Sequence, residues 1–470
     1  MDSGKENMRV MLINPSVSPI EIYGKYRRLG AVIPPLGLCY IAAVLEKNGY
    51  RVRILDANAL RLSKAEILEY IRQFTPGLVG IYSATMSFYN AQNIAQAVKK
   101  LDPRIKTVLG GPHISAMPHE SMQEGFFDFG AIGEGEYTAL QLIEALENSG
   151  NLSKVDGLIR YEGDVIANAP RQPIKDLDSL PFPARHLLPP LDIYKPKAIM
   201  YKKLPSTQIF TSRGCPYQCV FCQNPFGRRV RYHSPEYVVS EIEHLTKDYG
   251  IRDIVINDDT FTVNKERVHE ICDLIDRRNI DIKWSCNVRV DCVDLPLLKR
   301  MKGAGCWLIM PGLESGNDGI LKTLKKGITV EQGRNVCRWA RQVGLWIKPS
   351  FIIGNPLETE NSIEDTIEFA VSLKTHYPSF ALMTPLPGAE LWETAEQYGV
   401  FDRSDLAKLT PSQNACFVPY GLCADYLIRK QKEAFRRCYL NLGMIIRHLK
   451  GISSFEDVRK MSHAAMAIVH

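Results

Sequence analysis

Residues Gly214-Cys215-Pro216-Tyr217-Gln218-Cys219-Val220-Phe221-Cys222 set three thiols in a C-x3-C-x2-C array, on a loop that also carries glycine and proline. Thiolates this close in sequence can converge on one inorganic centre. Iron–sulfur clusters are held by cysteine thiolates, and an ordinary four-iron cluster takes four. Here there are three. One iron would keep an open position, the property that separates a reactive metal centre from a closed structural one. A structural zinc site needs a fourth ligand, and the next candidate, His233, lies eleven residues on with no second paired motif. A disulfide reading fails on context. Met1 to Arg9 carry no apolar run, so no signal peptide is expected, and such an array is then expected in a reducing compartment. The other nine cysteines (Cys39, Cys272, Cys286, Cys292, Cys306, Cys337, Cys416, Cys423 and Cys438) form no further C-x2-C pair and are expected to be small buried apolar residues.

Two runs of alternating strands and helices must position this loop. In the first, strands are expected at Arg9–Asn14, Val52–Leu55, Leu78–Tyr82, Lys106–Leu109 and Phe129–Ile132. Helices at Pro35–Asn48, Lys64–Phe74, Tyr89–Leu101 and Glu136–Glu147 alternate with them. That alternation predicts a parallel, doubly wound sheet, which binds ligands at the carboxyl ends of its strands where the strand order reverses. Those ends carry Asn14, Asp56-Ala-Asn58, Ser83 and Thr85, Gly110-Gly111-Pro112-His113 and Gly133-Glu134-Gly135-Glu136. Small residues admit a bulky ligand, and the hydroxyls can bond its polar rim. No G-x-G-x-x-G fingerprint is present, so a nicotinamide site is not expected. A hairpin about Gly163 follows, and then prolines so dense up to Pro205 that an extended, helix-free crossing is expected.

In the second run a strand at Thr207–Ser212 delivers the cysteine loop. Five more strands follow, at Asp253–Asn257, Lys283–Asn287, Trp307–Leu313, Trp346–Ile353 and Ser379–Met383, with helices between. Six β/α units in one direction predict an open, TIM-like (β/α)6 barrel with its chemistry at the carboxyl ends of the strands. Asn257-Asp258-Asp259, Asn287, Arg289, Glu314-Ser315, Asn355 and Thr384 lie there. Asp258 and Asp259 compete with a plain helix-capping role. Arg289 is either a carboxylate clamp or, preferably, a surface ion pair. The tail shows no strand signal. Ile428, Phe435, Tyr439, Leu442, Ile446 and Leu449 recur at helical spacing with basic residues on the other faces. This is expected to be a domain-packing helix, in preference to one lying on a membrane surface.

A chain of 470 residues needs two or three domains. A net charge of +6 is too small at this length to imply nucleic acid, and no apolar run reaches membrane-spanning length. The expected compartment is the cytoplasm.

The cysteine array, with Phe221 just before its third cysteine, resembles that of the radical S-adenosylmethionine (SAM) enzymes. The resemblance implies a [4Fe–4S] cluster on Cys215, Cys219 and Cys222, with the amino and carboxylate groups of SAM on the open iron. An electron from the cluster then cleaves SAM to a 5′-deoxyadenosyl radical, and Phe221 lies near the adenine. Asn257-Asp258-Asp259 matches the segment that binds the SAM amino group. Glu314 and Ser315, in Gly312-Leu-Glu-Ser-Gly316, match a "GxES" segment near ribose and carboxylate. Ile353 and Gly354 end the fifth strand, where backbone meets adenine, and Thr384-Pro-Leu-Pro-Gly388 resembles the turn after the sixth.

A doubly wound domain just ahead of such an array resembles the B12-dependent class of that family. It implies cobalamin near Asn14, Ser83, Thr85, Gly110, Gly111, Gly133 and Glu134. The D-x-H-x-x-G motif, whose histidine ligates cobalt elsewhere, is absent, so cobalamin is expected base-off and His113 is expected to be a hydrogen-bonded strand-end residue. The implied architecture is a Rossmann-like cobalamin-binding domain (8–151), a hairpin and Pro-rich linker (152–205), the radical SAM barrel (206–398) and a helical C-terminal region (399–470). The implied activity is methylation of an unactivated carbon in a small-molecule or peptide substrate, with electrons from a flavodoxin or ferredoxin. Oxidative cyclisation, as in the anaerobic magnesium-protoporphyrin ester cyclases, is the alternative. A methylthiotransferase would need three more cysteines in the first domain, where only Cys39 stands. An iron–sulfur sensor or binding module would not require the strand-end SAM segments.

Overall fold

The computed structural model describes residues 7–17, 31–196, 198–410 and 414–440. The chain divides near Tyr194 into two compact units, the first also taking in Gln223–Gly227.

The first unit is built on strands β1 (Val10–Asn14), β2 (Val52–Asp56), β3 (Leu78–Tyr82), β4 (Lys106–Gly110) and β5 (Phe129–Ala131). Between them run helices α1 (Leu36–Lys47), α2 (Lys64–Phe74), α3 (Phe88–Leu101) and, after β5, α4 (Gly135–Glu147). The strands are near-continuous aliphatic runs because helices cover both faces of a parallel sheet. Helix α2 starts where expected because Ser63 and Glu66 cap each other's backbone. The sheet order is β2-β1-β3-β4-β5, all parallel, extended by the antiparallel hairpin β6 (Leu158–Tyr161) and β7 (Val165–Ala167). Strand order reverses between β1 and β3, so the crevice for a ligand opens at their carboxyl ends. Buried Asp56 knits this rim. It accepts from Asn14 Nδ2 (2.9 Å), Tyr194 Oη (2.8 Å) and the Ala59 amide (3.0 Å), while burial pushes its carboxyl up. The proline-rich crossing is not free of helix. Single 3-10 turns occupy Leu177–Ser179, Arg185–Leu187, Leu191–Ile193 and Ala198–Met200, since one i→i+3 bond fits between prolines where an α-helix does not.

The second unit carries six parallel strands in chain order. They are β8 (Ser206–Ile209), β9 (Asp253–Ile256), β10 (Lys283–Val288), β11 (Cys306–Glu314), β13 (Ser350–Ile353) and β14 (Ser379–Leu382), with the two-residue β12 (Trp346–Ile347) also on β11. The first and last strands do not pair, so the sheet is a curled half-barrel. Helices α5 (Pro235–Asp248), α6 (Lys265–Arg277), α7 (Leu295–Gly303), α8 (Asp318–Thr323), α9 (Val330–Gln342) and α10 (Glu360–Ser372) connect them. The expected single strand Trp346–Ile353 is split at Lys348-Pro349, because proline has no N–H for the ladder. Helix α10 begins at Glu360, where Thr359 and Ser362 cap each other reciprocally.

The tail departs from expectation in two ways. Strands β15 (Gly399–Phe401) and β16 (Phe417–Pro419) form an antiparallel ribbon, each too short for alternation to show in sequence. Helix α11 (Ala424–Tyr439) buries Leu427, Gln431, Ala434 and Cys438, whereas Ile428, Phe435 and Tyr439 only flank that face. Leu442, Ile446 and Leu449 lie outside the described residues. The basic side is partly paired: Lys430 and Arg437 both reach Glu364 and Glu433. No helix among the described residues is long and apolar enough to cross a membrane.

Candidate functional site

The cysteine loop springs from a closed stem. Ser212 and Arg213 pair antiparallel with Tyr232 and Arg231, and Gly214 turns the chain at φ +94°. Asp258, buried after β9, clasps that stem. It accepts from the Thr211 amide, Thr211 Oγ1 and Ser212 Oγ, each at 2.6 Å. Arg267 faces the same stem, donating to the Thr211 carbonyl (2.8 Å) and to the His233 carbonyl (2.9 Å). Burial pushes the Asp258 carboxyl up, against the pull of Arg267 and these hydrogen bonds. Asp259 accepts the Gly214 amide, and Thr260 Oγ1 stands 3.9 Å from Cys215 Sγ. Neither aspartate caps helix α6, whose cap is Asn264. Both shape the loop.

The middle of the loop is gripped by two helical segments, the end of α8 and the helix Glu390–Thr394. The Val220 amide donates to the Leu324 carbonyl (3.1 Å), and the Leu391 amide to the Val220 carbonyl (2.8 Å). Tyr217 Oη sits 2.9 Å from Cys292 Sγ, and the Arg289 guanidinium lies 3.4 Å from the centre of the Tyr217 ring. Arg289 is therefore no surface ion pair. It is 5% exposed, binds Asp291 through two bonds of 3.0 Å and donates to the Lys326 carbonyl (2.7 Å). Cys215, Cys219 and Cys222 are free thiols, as are the other nine; of those nine, eight are buried as expected, but Cys423 is exposed at the start of α11. Burial raises the Cys219 thiol pKa, and Lys326 and Arg289 oppose that rise. Among the described residues no three His, Cys, Asp or Glu side chains gather closely enough for a single metal ion. A cluster asks less of them, because each thiolate takes a different iron.

Beside the loop stands a buried ion pair, Glu314 Oε1 to Lys326 Nζ at 2.7 Å, with the Lys326 ammonium 5.9 Å from the Phe221 ring. Glu314 holds φ +61°, and the β11 register slips between Gly312 and Glu314. Such bulges re-aim a side chain. Ser315 is buried and bonds Thr366 Oγ1 (3.0 Å), a packing role on α10. Ile353 is fully buried, and Gly354 turns at φ +86°. The carboxylate of Glu358 gathers that turn, accepting from the Gly354 amide (2.6 Å), the Asn355 amide (2.9 Å) and Asn355 Nδ2 (3.0 Å). An anion and a cation side by side suit the zwitterionic end of SAM, and the three loop thiols suit an open-site cluster. Lys326 and Glu358 are not singled out by the sequence: Lys325-Lys326 looks like surface charge, and Glu358 stands in no motif.

In the first unit, the strand ends make a shelf of small groups. A side chain at Gly110 or Gly133 would meet nothing within 4 Å. Gly111, at φ +108°, could carry none, since a Cβ would stand 2.6 Å from the Ser83 carbonyl. Ser83 Oγ bonds the Ala84 carbonyl (2.9 Å), and Thr85 Oγ1 lies 3.4 Å from His113 Nδ1. His113 belongs to the short helix Pro112–Ala116, not to a strand end. It is 1% exposed, tilts against Phe88 with ring centres 4.2 Å apart, and is pushed down to about 4 by burial. Glu134 accepts the Ile174 amide (2.7 Å) and so ties the crossing segment to β5. The open shelf above Gly110 and Gly133 fits a broad ligand such as a corrin.

Two family models match the chain, the B12 binding domain over residues 27–143 and the radical SAM superfamily over 209–370. An uncharacterized methyltransferase of Pyrococcus horikoshii is 38% identical over 83% of this chain and 84% of its own length. The chain belongs to the B12-binding radical SAM enzymes. This radical SAM enzyme is also 29% identical to the anaerobic magnesium-protoporphyrin IX monomethyl ester cyclase of Rubrivivax gelatinosus, over 93% of this chain and 78% of that one. Among solved structures it shares the fold of the cobalamin-dependent SAM radical enzyme OxsB (TM-score 0.75, 18% identity, 98% of this chain and 71% of that one). It likewise resembles the radical SAM methyltransferase TsrM of Kitasatospora setae (TM-score 0.71, 20% identity, 92% and 89%). Its cofactors are a [4Fe–4S] cluster, SAM and cobalamin.

Proposed function

We propose that this radical SAM enzyme methylates an unactivated carbon of a small-molecule substrate in the cytoplasm, with electrons from a flavodoxin- or ferredoxin-type carrier. The observation that carries the reading is the likeness to the Pyrococcus methyltransferase over 83% of this chain and 84% of that one. When bound, the cluster and SAM supply the hydrogen-abstracting 5′-deoxyadenosyl radical, and cobalamin supplies the methyl group. The protein contributes position and charge. Cys215, Cys219 and Cys222 hold the cluster, on a loop whose stem is fixed by Asp258 and Asp259. Glu314 takes the SAM ammonium and Lys326 its carboxylate, with Phe221, Ile353 and Gly354 around the adenosine and Ser315 bracing the segment from behind. Gly110, Gly111 and Gly133 form the floor beneath cobalamin, with Asn14, Ser83, Thr85 and Glu134 fixing the loops that border it.

A cyclase reading is the competitor, favoured by the length of the Rubrivivax match. Counting the fates of SAM with the confirmed substrate separates them. Methylation gives one 5′-deoxyadenosine and one S-adenosylhomocysteine per turnover, with label from methyl-SAM in the product. An unlabelled product formed with 5′-deoxyadenosine alone refutes methylation.

A further inference from the structure

We propose that Arg289 is a positioning residue that sets the reduction potential of the cluster, by holding a buried positive charge against the turn between Cys215 and Cys219. The inference rests on those two cysteines and Cys222 being the cluster ligands. Tyr217 occupies that turn, and the Arg289 guanidinium lies in van der Waals contact with its ring face at 3.4 Å. A guanidinium is always charged and stacks well on an aromatic face. Its partners are tied in turn to the loop or to the Glu314–Lys326 pair. Asp291 holds two of its nitrogens, and Cys292, one residue on, meets the Tyr217 hydroxyl. The Lys326 carbonyl takes a third bond, and the Lys326 ammonium is the cation of the Glu314 pair. Arg289 thus joins the loop to the segment that carries the Glu314–Lys326 pair.

The charge must act on whatever the thiolates hold. A three-thiolate cluster gains a negative charge on reduction, and a nearby buried cation favours the reduced form. Asp291 offsets part of that effect. Arg289 is nonetheless the member of the pair that packs on the loop, against the face of the Tyr217 ring. The sign of each variant follows: removing Arg289 disfavours reduction, and removing Asp291 favours it.

The test is a mediated redox titration of the reconstituted holoenzyme followed by electron paramagnetic resonance, with iron content measured on the same samples. Arg289→Met, at wild-type iron content, is expected to shift the one-electron equilibrium at least tenfold toward the oxidised cluster, about 59 mV lower. Arg289→Lys keeps the charge but loses the flat stacking face, and its midpoint is expected to stay near wild type even where iron loading falls. A purely structural role would reverse this pattern, lowering iron content in Arg289→Met while leaving the midpoint unmoved, and that result overturns the proposal. Should Arg289→Met fail to assemble, Asp291→Asn decides: a raised midpoint supports the inference, and an unmoved or lowered one overturns it. A wild-type protein with no cluster signal refutes the ligand assignment instead, so the two failures are distinguishable.

Discussion

Two adjacent glycines at the end of β4 give opposite tests of the cobalamin shelf. Gly111 has φ +108° and ψ −175°, a region open essentially to glycine alone. A Cβ there would lie 2.6 Å from the Ser83 carbonyl oxygen, 3.0 Å from Tyr82 Cδ2 and 3.1 Å from the Ser83 nitrogen. Backbone strain costs roughly 1–3 kcal/mol, and forced overlap costs about as much again. Gly111→Ala should therefore lose about 3 kcal/mol, and at about 2–4 °C per kcal/mol the melting temperature falls by roughly 6–12 °C. Gly110 differs, because a Cβ on it meets nothing within 4 Å. It closes a strand, where a β-branched residue is at home, so Gly110→Val should leave stability within about 0.5 kcal/mol. Its methyls would instead occupy the space assigned to the corrin, and cobalamin affinity should fall at least tenfold, about 1.4 kcal/mol. Scanning calorimetry of the apoprotein and equilibrium dialysis with cobalamin read the two effects apart. Cobalamin bound by Gly110→Val at wild-type affinity refutes the shelf, and an unchanged melting temperature in Gly111→Ala refutes the packing argument.

Asp258→Ala would remove a buried carboxylate that Arg267 attracts and strip three donors of their acceptor. Urea unfolding should show a loss of about 3–5 kcal/mol together with poor iron loading, and normal values of both count against the clasp. Burial lifts the Glu358 carboxyl to about 7 from 4.5. Between those values the folded state keeps a proton that the unfolded state has released, so stability falls as pH rises from about 4.5 through 7. Glu358→Gln should flatten that decline in denaturant melts across the window, and an unchanged slope contradicts the assignment. His113 is buried against Phe88 with Nδ1 beside Thr85 Oγ1, so cobalamin should bind base-off. Electron paramagnetic resonance of the cobalt(II) form should lack nitrogen splitting, and its appearance with loss in His113→Ala would reverse this reading.

The alternation of strand and helix was legible throughout both units, because parallel strands covered on both faces are continuous apolar runs and the intervening helices carry clear stops. The cysteine loop was legible from spacing alone. What escaped was the use made of polar residues at strand ends. Position placed Asp258, Asp259, Arg289 and Ser315 near the chemistry, but whether a carboxylate faces a ligand or a neighbouring backbone amide depends on contacts from residues up to dozens of positions away. Asp258 on Thr211 and Arg289 on Lys326 are such cases. Lys326 was missed for the converse reason. Charged residues in pairs on loops are usually solvated, and only the return of that turn beneath Glu314 buries one. The tail ribbon failed on length, since three-residue strands have no period to detect.

The outer edge of the half-barrel's last strand has a consequence for handling the protein. Strand β14 ends the sheet, and α11 lies along it: Gln431 Nε2 donates to the Phe380 carbonyl at 2.9 Å, and the Tyr439 hydroxyl to the Pro378 carbonyl at 3.1 Å. A bare sheet edge is a template for another chain. Helix α11 thus shields the molecule from itself, and a shortened protein ending before Ala424 would present that edge to its own copies. Self-association, rather than lost chemistry, would be the first defect to appear.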